Sequence, residues 1–213
     1  MAYYSPAAKA GSPLRSVREG ARHGGVVRRV LPSEMDGLLA HLLRLDPESR
    51  HDRFGMPASD EFLAQYADRV AGLDDLIYGF FVDGELRGAG ELRGLGPSGP
   101  EHWRAAEVAF SVERPWRRLG VGEALMGRMV RAARNRRAAT LYMSCLTRNE
   151  AMQRLARKFS AELTFEYGET TTTLPVEGPT AFSLIYEAMD DAAGFATAML
   201  DLQRRALSRA ARL

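Results

Sequence analysis

Arg117-Arg118-Leu119-Gly120-Val121-Gly122 follows an apolar run from Val108 to Val112 and opens a segment with Leu125, Met129 and Ala132 at helical spacing. The order reads as strand, tight glycine turn, helix. Such a turn aims several backbone N–H groups and the positive end of a helix dipole at one spot in solvent, and that spot binds phosphate. Gly120 and Gly122 let the backbone approach an anion closely because no Cβ intervenes. A dinucleotide fingerprint requires a further glycine where Leu125 stands. A P-loop placed on Gly122 and Gly127 lacks its Lys-Ser/Thr pair, since Arg128-Met129 follows.

The pattern that remains is (Gln/Arg)-x-x-Gly-x-(Gly/Ala), with Arg117, Gly120 and Gly122 at its defined positions. It resembles the acetyl-CoA pyrophosphate loop of the GNAT acyltransferases. Upstream, Glu107-Val108-Ala109-Phe110-Ser111-Val112 resembles that family's fourth strand. Downstream, the segment from Asn149 to Lys158 resembles its next strand-to-helix junction, Asn-x-x-Ala-x-x-Leu-Tyr-x-Lys. A shorter segment, Leu45-Asp46-Pro47-Glu48-Ser49-Arg50 with Arg53-Phe54, is similar to the start of the GNAT domain in bacterial Pat-type protein lysine acetyltransferases. The resemblance covers residues 25–187.

It implies an α/β (α+β) fold: a mixed, mostly antiparallel sheet flanked by helices, its strands splayed near Val112 to admit acetyl-CoA. It also implies that Arg117, Arg118, Gly120, Val121 and Gly122 surround the pyrophosphate. Phe110 and Val112 would give main-chain hydrogen bonds to the pantetheine arm, as a short added strand. Lys158 would meet the 3′-phosphate, or else belong to a solvated helix face. Asn149 would touch the cofactor or simply cap a helix. The family's frequent tyrosine, the acid for the leaving thiolate, falls at Ala156, so Tyr142, Ser144 or Ser160 would replace it or the thiolate would leave unaided.

An amine that attacks a thioester must first lose a proton from an ammonium of pKa about 10.4, and a carboxylate can relay it through water. Glu107, on the motif strand, is the first candidate for this base, against a plain strand-start carboxylate paired with Arg104; Glu91 is the reserve. The sequence offers no activated nucleophile, so direct attack in a ternary complex is expected. Tyr142 and Cys145 read as strand packing. The scattered His23, His41, His51 and His102 have no metal-ligand spacing, and no metal is expected.

Composition agrees without adding specificity. The chain has 213 residues, 46% hydrophobic and 26% charged, which suits one well-buried soluble domain. Its formal net charge of +2 argues neither for nor against nucleic acid. A lone cysteine excludes an internal disulfide and suits the cytoplasm. No run approaches the roughly 20 apolar residues of a membrane span, and the basic N-terminus lacks the apolar core of a signal peptide.

Residues 1–24 read as a flexible arm, 25–187 as the acetyltransferase domain and 188–213 as a helical extension. Val26 to Leu31 is a first strand, and Ser33 is a cap for a helix with Met35, Leu38 and Leu42 on one face. Asp46-Pro47-Glu48 and Ser59-Asp60 open further helices. Asp83-Gly84 joins two strands as a hairpin. Thr147-x-x-Glu150 reads as a capping box. Leu163–Thr173 and Phe182–Tyr186 read as the last pair of strands.

The expected function is acetyl transfer from acetyl-CoA to a primary amine of a small molecule or protein. The alternatives are a non-catalytic acyl-CoA-binding or sensing module, or a nucleic-acid binder that uses Arg128, Arg131, Arg134, Arg136 and Arg137. The apolar stripe of the tail is expected to pack on its own core or on a twin subunit, giving a homodimer, with no membrane partner.

Overall fold

A seven-stranded sheet in the order β1-β2-β3-β4-β5-β7-β6 organises the molecule. The structure is a computed structural model and describes residues 24–71, 75–97, 99, 101–166 and 168–210. Apart from Gly24, the expected N-terminal arm lies outside the described residues. The strands are β1 Gly25–Arg29, β2 Leu76–Val82, β3 Glu85–Gly94, β4 Ala105–Val112, β5 Thr140–Leu146, β6 Glu162–Glu166 and β7 Glu169–Pro175. The helices are α1 Met35–Leu43, α2 Pro47–Phe54, α3 Asp60–Ala71, α4 Val121–Asn135, α5 Glu150–Lys158 and α6 Ala181–Ala210. Every neighbouring strand pair is antiparallel except β4–β5.

Two apolar layers cover the sheet. Leu125, Met126 and Met129 of α4 pack with Phe80, Val108 and Leu141 on one face. Leu38, Leu42 and Leu63 of α1 and α3 pack with Phe81 and Leu86 on the other. β2, covered on both sides, is accordingly a continuous apolar run.

Local caps follow the sequence in part. Asp46 caps α2 by accepting the Ser49 N–H at 3.1 Å. Burial acts to raise the Asp46 pKa, but the Ser49 hydroxyl and amide, then Arg114, hold it at about 2. Ser33, by contrast, caps nothing. It lies in a 3-10 turn, and Glu34 instead accepts the Leu31 N–H and pairs with Arg28. The expected Thr147 capping box is replaced by Asn149, whose side chain accepts the Met152 N–H at 3.1 Å and starts α5.

The last strand pair also differs from expectation. Leu163–Thr173 folds back on itself as β6 and β7, and Phe182–Tyr186 is the first part of α6. A short apolar run fits strand or helix equally. Here Thr180 and Ser183 decide, each side chain accepting the other's backbone N–H (2.9 and 3.0 Å) at the helix start. α6 then runs unbroken through residues 187 and 188, so the expected limit between domain and extension falls inside one helix.

Candidate active site

β4 and β5 pair only from Ala105↔Thr140 to Glu107↔Tyr142. Beyond that rung β4 stays with β3 as far as Val112 and β5 stays with β7 as far as Leu146, so the two strands part. The Glu113 N–H donates to Arg87 O at 3.0 Å, which fixes the alternation. The main-chain groups of Phe110 and Val112 therefore face away from β3, into the gap. This is the splay expected near Val112.

A cleft of about 500 Å³ occupies the gap. Every residue assigned to the cofactor borders it, from Phe110 and Val112 through the 117–122 loop to Asn149 and Lys158. Gly120 sits at the N-cap of α4 with φ +80°, a left-handed conformation that glycine adopts without penalty, and no side chain caps this helix. The first-turn N–H groups of α4 are consequently open toward the cleft. A helix N-terminus of this kind stabilises an anion.

The arginines of the loop have unequal roles. The Arg117 side chain is spent inside the protein: Nε donates to Val112 O at 2.9 Å and Nη2 to the Ser49 hydroxyl. It ties the end of β4 to α2. Arg118 takes φ +63°, a left-handed position for a non-glycine residue. Lys158 bridges to Glu123 at 2.6 Å, joining α5 to the first turn of α4, and is well exposed.

Behind Arg53 and Ser111 of the cleft lining stand carboxylates and their partners. Glu107 does not line the cleft. It stands at the last β4–β5 rung, half-buried, on the sheet face shared with Glu91, and its carboxylate has no partner among the described residues. Glu91 is buried and committed: Arg53 Nη2 donates to it at 2.8 Å and the Tyr66 hydroxyl donates to its other oxygen. Burial, then the Glu91 charge, pushes the Tyr66 phenol up to about 12. Arg53 also borders the cleft. Glu91 is thus anchored as half of a buried ion pair, whereas Glu107 is held in no ion pair among the described residues.

A second group was not legible in the sequence. His41, fully buried on α1, hydrogen-bonds Glu113 Oε1 through Nδ1 (3.1 Å) and Ser111 Oγ through Nε2 (2.9 Å). Glu113 also receives Arg44 at 2.9 Å and Arg87 at 3.2 Å, and Ser111 borders the cleft. Burial pushes the His41 imidazole below its ordinary value near 6.5, against the pull of Glu113. Because a carboxylate only accepts, Nδ1 carries the proton and Nε2 accepts from the Ser111 hydroxyl. Ser111 and Glu113 lie two residues apart on the chain, whereas His41 arrives from a remote helix.

Cys145 also lines the cleft, but burial and then Asp52 raise its pKa, which keeps it a thiol. Ala156 is fully buried in the α4-side core and does not reach the cleft; of the replacements considered, Ser144 borders it, whereas Tyr142 and Ser160 do not. Arg128 and Arg131 pair with Asp190, Arg134 with Glu177 and Arg136 with Glu187, so these arginines of α4 do not form a free basic face. Among the described residues no group of His, Cys, Asp and Glu could hold a metal ion. No helix among them is long and apolar enough to cross a membrane.

Similarity to known proteins agrees with this geometry. Residues 39–161 match the model of the Acetyltransferase (GNAT) family. No curated protein matches the chain significantly. Among solved structures, the GNAT domain of S. lividans PAT superposes with TM-score 0.65 at 21% identity, covering 71% of this chain and 90% of that one. An N-acetyltransferase from Staphylococcus aureus Mu50 gives 0.55 at 17% identity, covering 71% and 98%. yncA from Salmonella typhimurium, a putative acetyltransferase solved with acetyl-CoA, gives 0.55 at 13% identity, covering 74% and 96%. At these identities the superpositions speak for the fold. The match to the family model over more than half its length shows that the chain belongs to the GNAT acetyltransferase family.

Proposed function

We propose that this protein transfers the acetyl group of acetyl-CoA to a primary amine, by direct attack within a ternary complex in the cytoplasm, and that it does so as a homodimer. One observation carries the reading: uncapped helix N–H groups and the β4 main-chain groups that face away from β3 line one splayed gap, and the half-buried Glu107 carboxylate stands at the rung where the two strands part. The pyrophosphate sits against Gly120, Val121 and Gly122 with Arg118 at its flank, and Lys158 meets the 3′-phosphate. Phe110 and Val112 hold the pantetheine arm through their main chains, and the Phe110 N–H is placed to take the thioester oxygen as it gains charge. Asn149 fixes the start of α5 at the wall of the cleft. Glu107 draws the proton from the ammonium through water, and the amine attacks the thioester carbon. The CoA thiolate, whose thiol has a pKa of about 8.5, then departs without a tyrosine at position 156.

Measuring CoA release by the wild type against a panel of polyamines, amino acids and lysine peptides tests this. Turnover that needs both acetyl-CoA and one amine class supports it; tight acetyl-CoA binding without transfer to any amine supports a sensing module.

A second reading is favoured by the Ser111–His41–Glu113 chain. Ser111 Oγ could attack the thioester carbon as His41 Nε2 takes its proton and hands it to the departing thiolate, leaving an acetyl ester on Ser111 that an amine or water removes. Incubation with acetyl-CoA alone, followed by peptide mass spectrometry, separates the two. One added acetyl group on Ser111, absent from Ser111→Ala, establishes the ester; an unmodified peptide leaves direct attack.

A further inference from the structure

The amphipathicity of α6 is reversed relative to the domain that carries it. Its inward face is polar: Ser183 and Glu187 meet Asn135 and Arg136, Asp190 meets Arg128 and Arg131, and Asp201 meets Arg28. Gly194 allows the close approach that this seam needs, because a Cβ there would lie 2.9 Å from Arg28 Cβ. Most of the large apolar side chains of this helix are exposed instead. Phe182 (74% exposed), Met189 (63%), Leu200 (54%) and Leu207 (71%) lie with exposed Ala193 and Ala196 along one line at the helical period. Ordinarily such a stripe faces the core of its own domain.

We propose that this stripe is the interface with a second copy of the same chain, with the two α6 helices packed antiparallel about a two-fold axis between Ala193 and Ala196. A two-fold interface must be self-complementary, each residue finding opposite it the residue whose partner it is in turn. The stripe has that property. Measured from the midpoint between Ala193 and Ala196, Met189 and Leu200 are equally far out, and so are Phe182 and Leu207. Antiparallel pairing therefore sets large apolar side chains against each other at both ends and alanine against alanine at the centre. Small residues there let the helix axes come within roughly 8 Å.

Size supports the same occupant. With Ile185 (55% exposed), which flanks the line, these residues expose on the order of 600 Å², the upper end of the usual largest patch of a monomer and most of one partner's share of a standard interface. A lipid surface would need no palindrome, whereas a two-fold partner does. The inference is independent of the transferase reading.

Analytical ultracentrifugation of the full chain tests it, with Met189→Lys and Leu200→Glu as variants. Both positions face outward, so folding and acetyl-CoA binding should persist while each variant dissociates to monomer, its dimer constant weakened roughly 10²-fold or more. Mixing the two variants should restore a dimer, because position 189 of one copy then meets position 200 of the other as Lys against Glu. A wild type that stays monomeric overturns the proposal. Variants that stay dimeric, or a mixture that is not rescued, overturn the antiparallel register.

Discussion

The two ends of the cleft are built in different ways. At the phosphate end a few consecutive residues, Gly120 to Glu123, offer main-chain N–H groups whose direction follows from the start of a helix. At the other end the parts come from α1, α2, α3, β3 and β4, and each is held by a side chain from somewhere else: Arg53 and Tyr66 on Glu91, His41 and Arg44 on Glu113. In the proposed reaction the first end binds the pyrophosphate of acetyl-CoA. In the same proposal the second receives the acceptor amine, and its geometry depends on buried charges that are costly to leave unpaired.

If that contrast is right, breaking the acceptor end should cost folding as well as chemistry. Arg53→Met leaves Glu91 buried without its cation, and thermal unfolding should show a loss of about 3–5 kcal/mol. Glu107→Gln is the opposite kind of change, since the side chain supports no ion pair. Stability and acetyl-CoA affinity should stay near wild type while turnover on an identified amine falls roughly 10²-fold. Undiminished turnover would remove Glu107 from the mechanism.

The His41 network predicts a pH effect of definite sign. Well above pH 6.5 His41 is neutral in both folded and unfolded protein; as the pH falls through it the unfolded chain takes up a second ring proton while the buried imidazole resists. Stability should therefore fall as the pH drops through and below 6.5, and in His41→Asn this part of the slope should vanish in urea titrations. The smallest effect is expected away from the cleft. Ser160 ends α5 with φ +60°, so Ser160→Gly should raise stability by about 0.5–1 kcal/mol in the same assay.

The same contrast explains what the sequence could tell. The glycine turn, the hairpin at Asp83-Gly84 and the cap at Asp46 are each written in a few adjacent residues whose backbone needs are specific. The glycine turn that borders the cleft was legible for that reason. His41, Ser111 and Glu113 join only through the packing of α1 on the sheet, and neither composition nor spacing encodes that contact. Phe182–Tyr186 misled because its apolar residues face solvent in α6, so burial could not be inferred from hydrophobicity.

Isothermal titration of acetyl-CoA into wild type and Gly120→Glu tests the central claim most directly. The substitution sets a carboxylate where the pyrophosphate should lie, at a position whose φ of +80° also disfavours a side chain. Micromolar binding by the wild type, weakened roughly 10²-fold or more in a variant that remains folded, is the predicted result. A folded wild type that binds no acetyl-CoA, or a variant that binds it equally well, would contradict the assignment of this cleft.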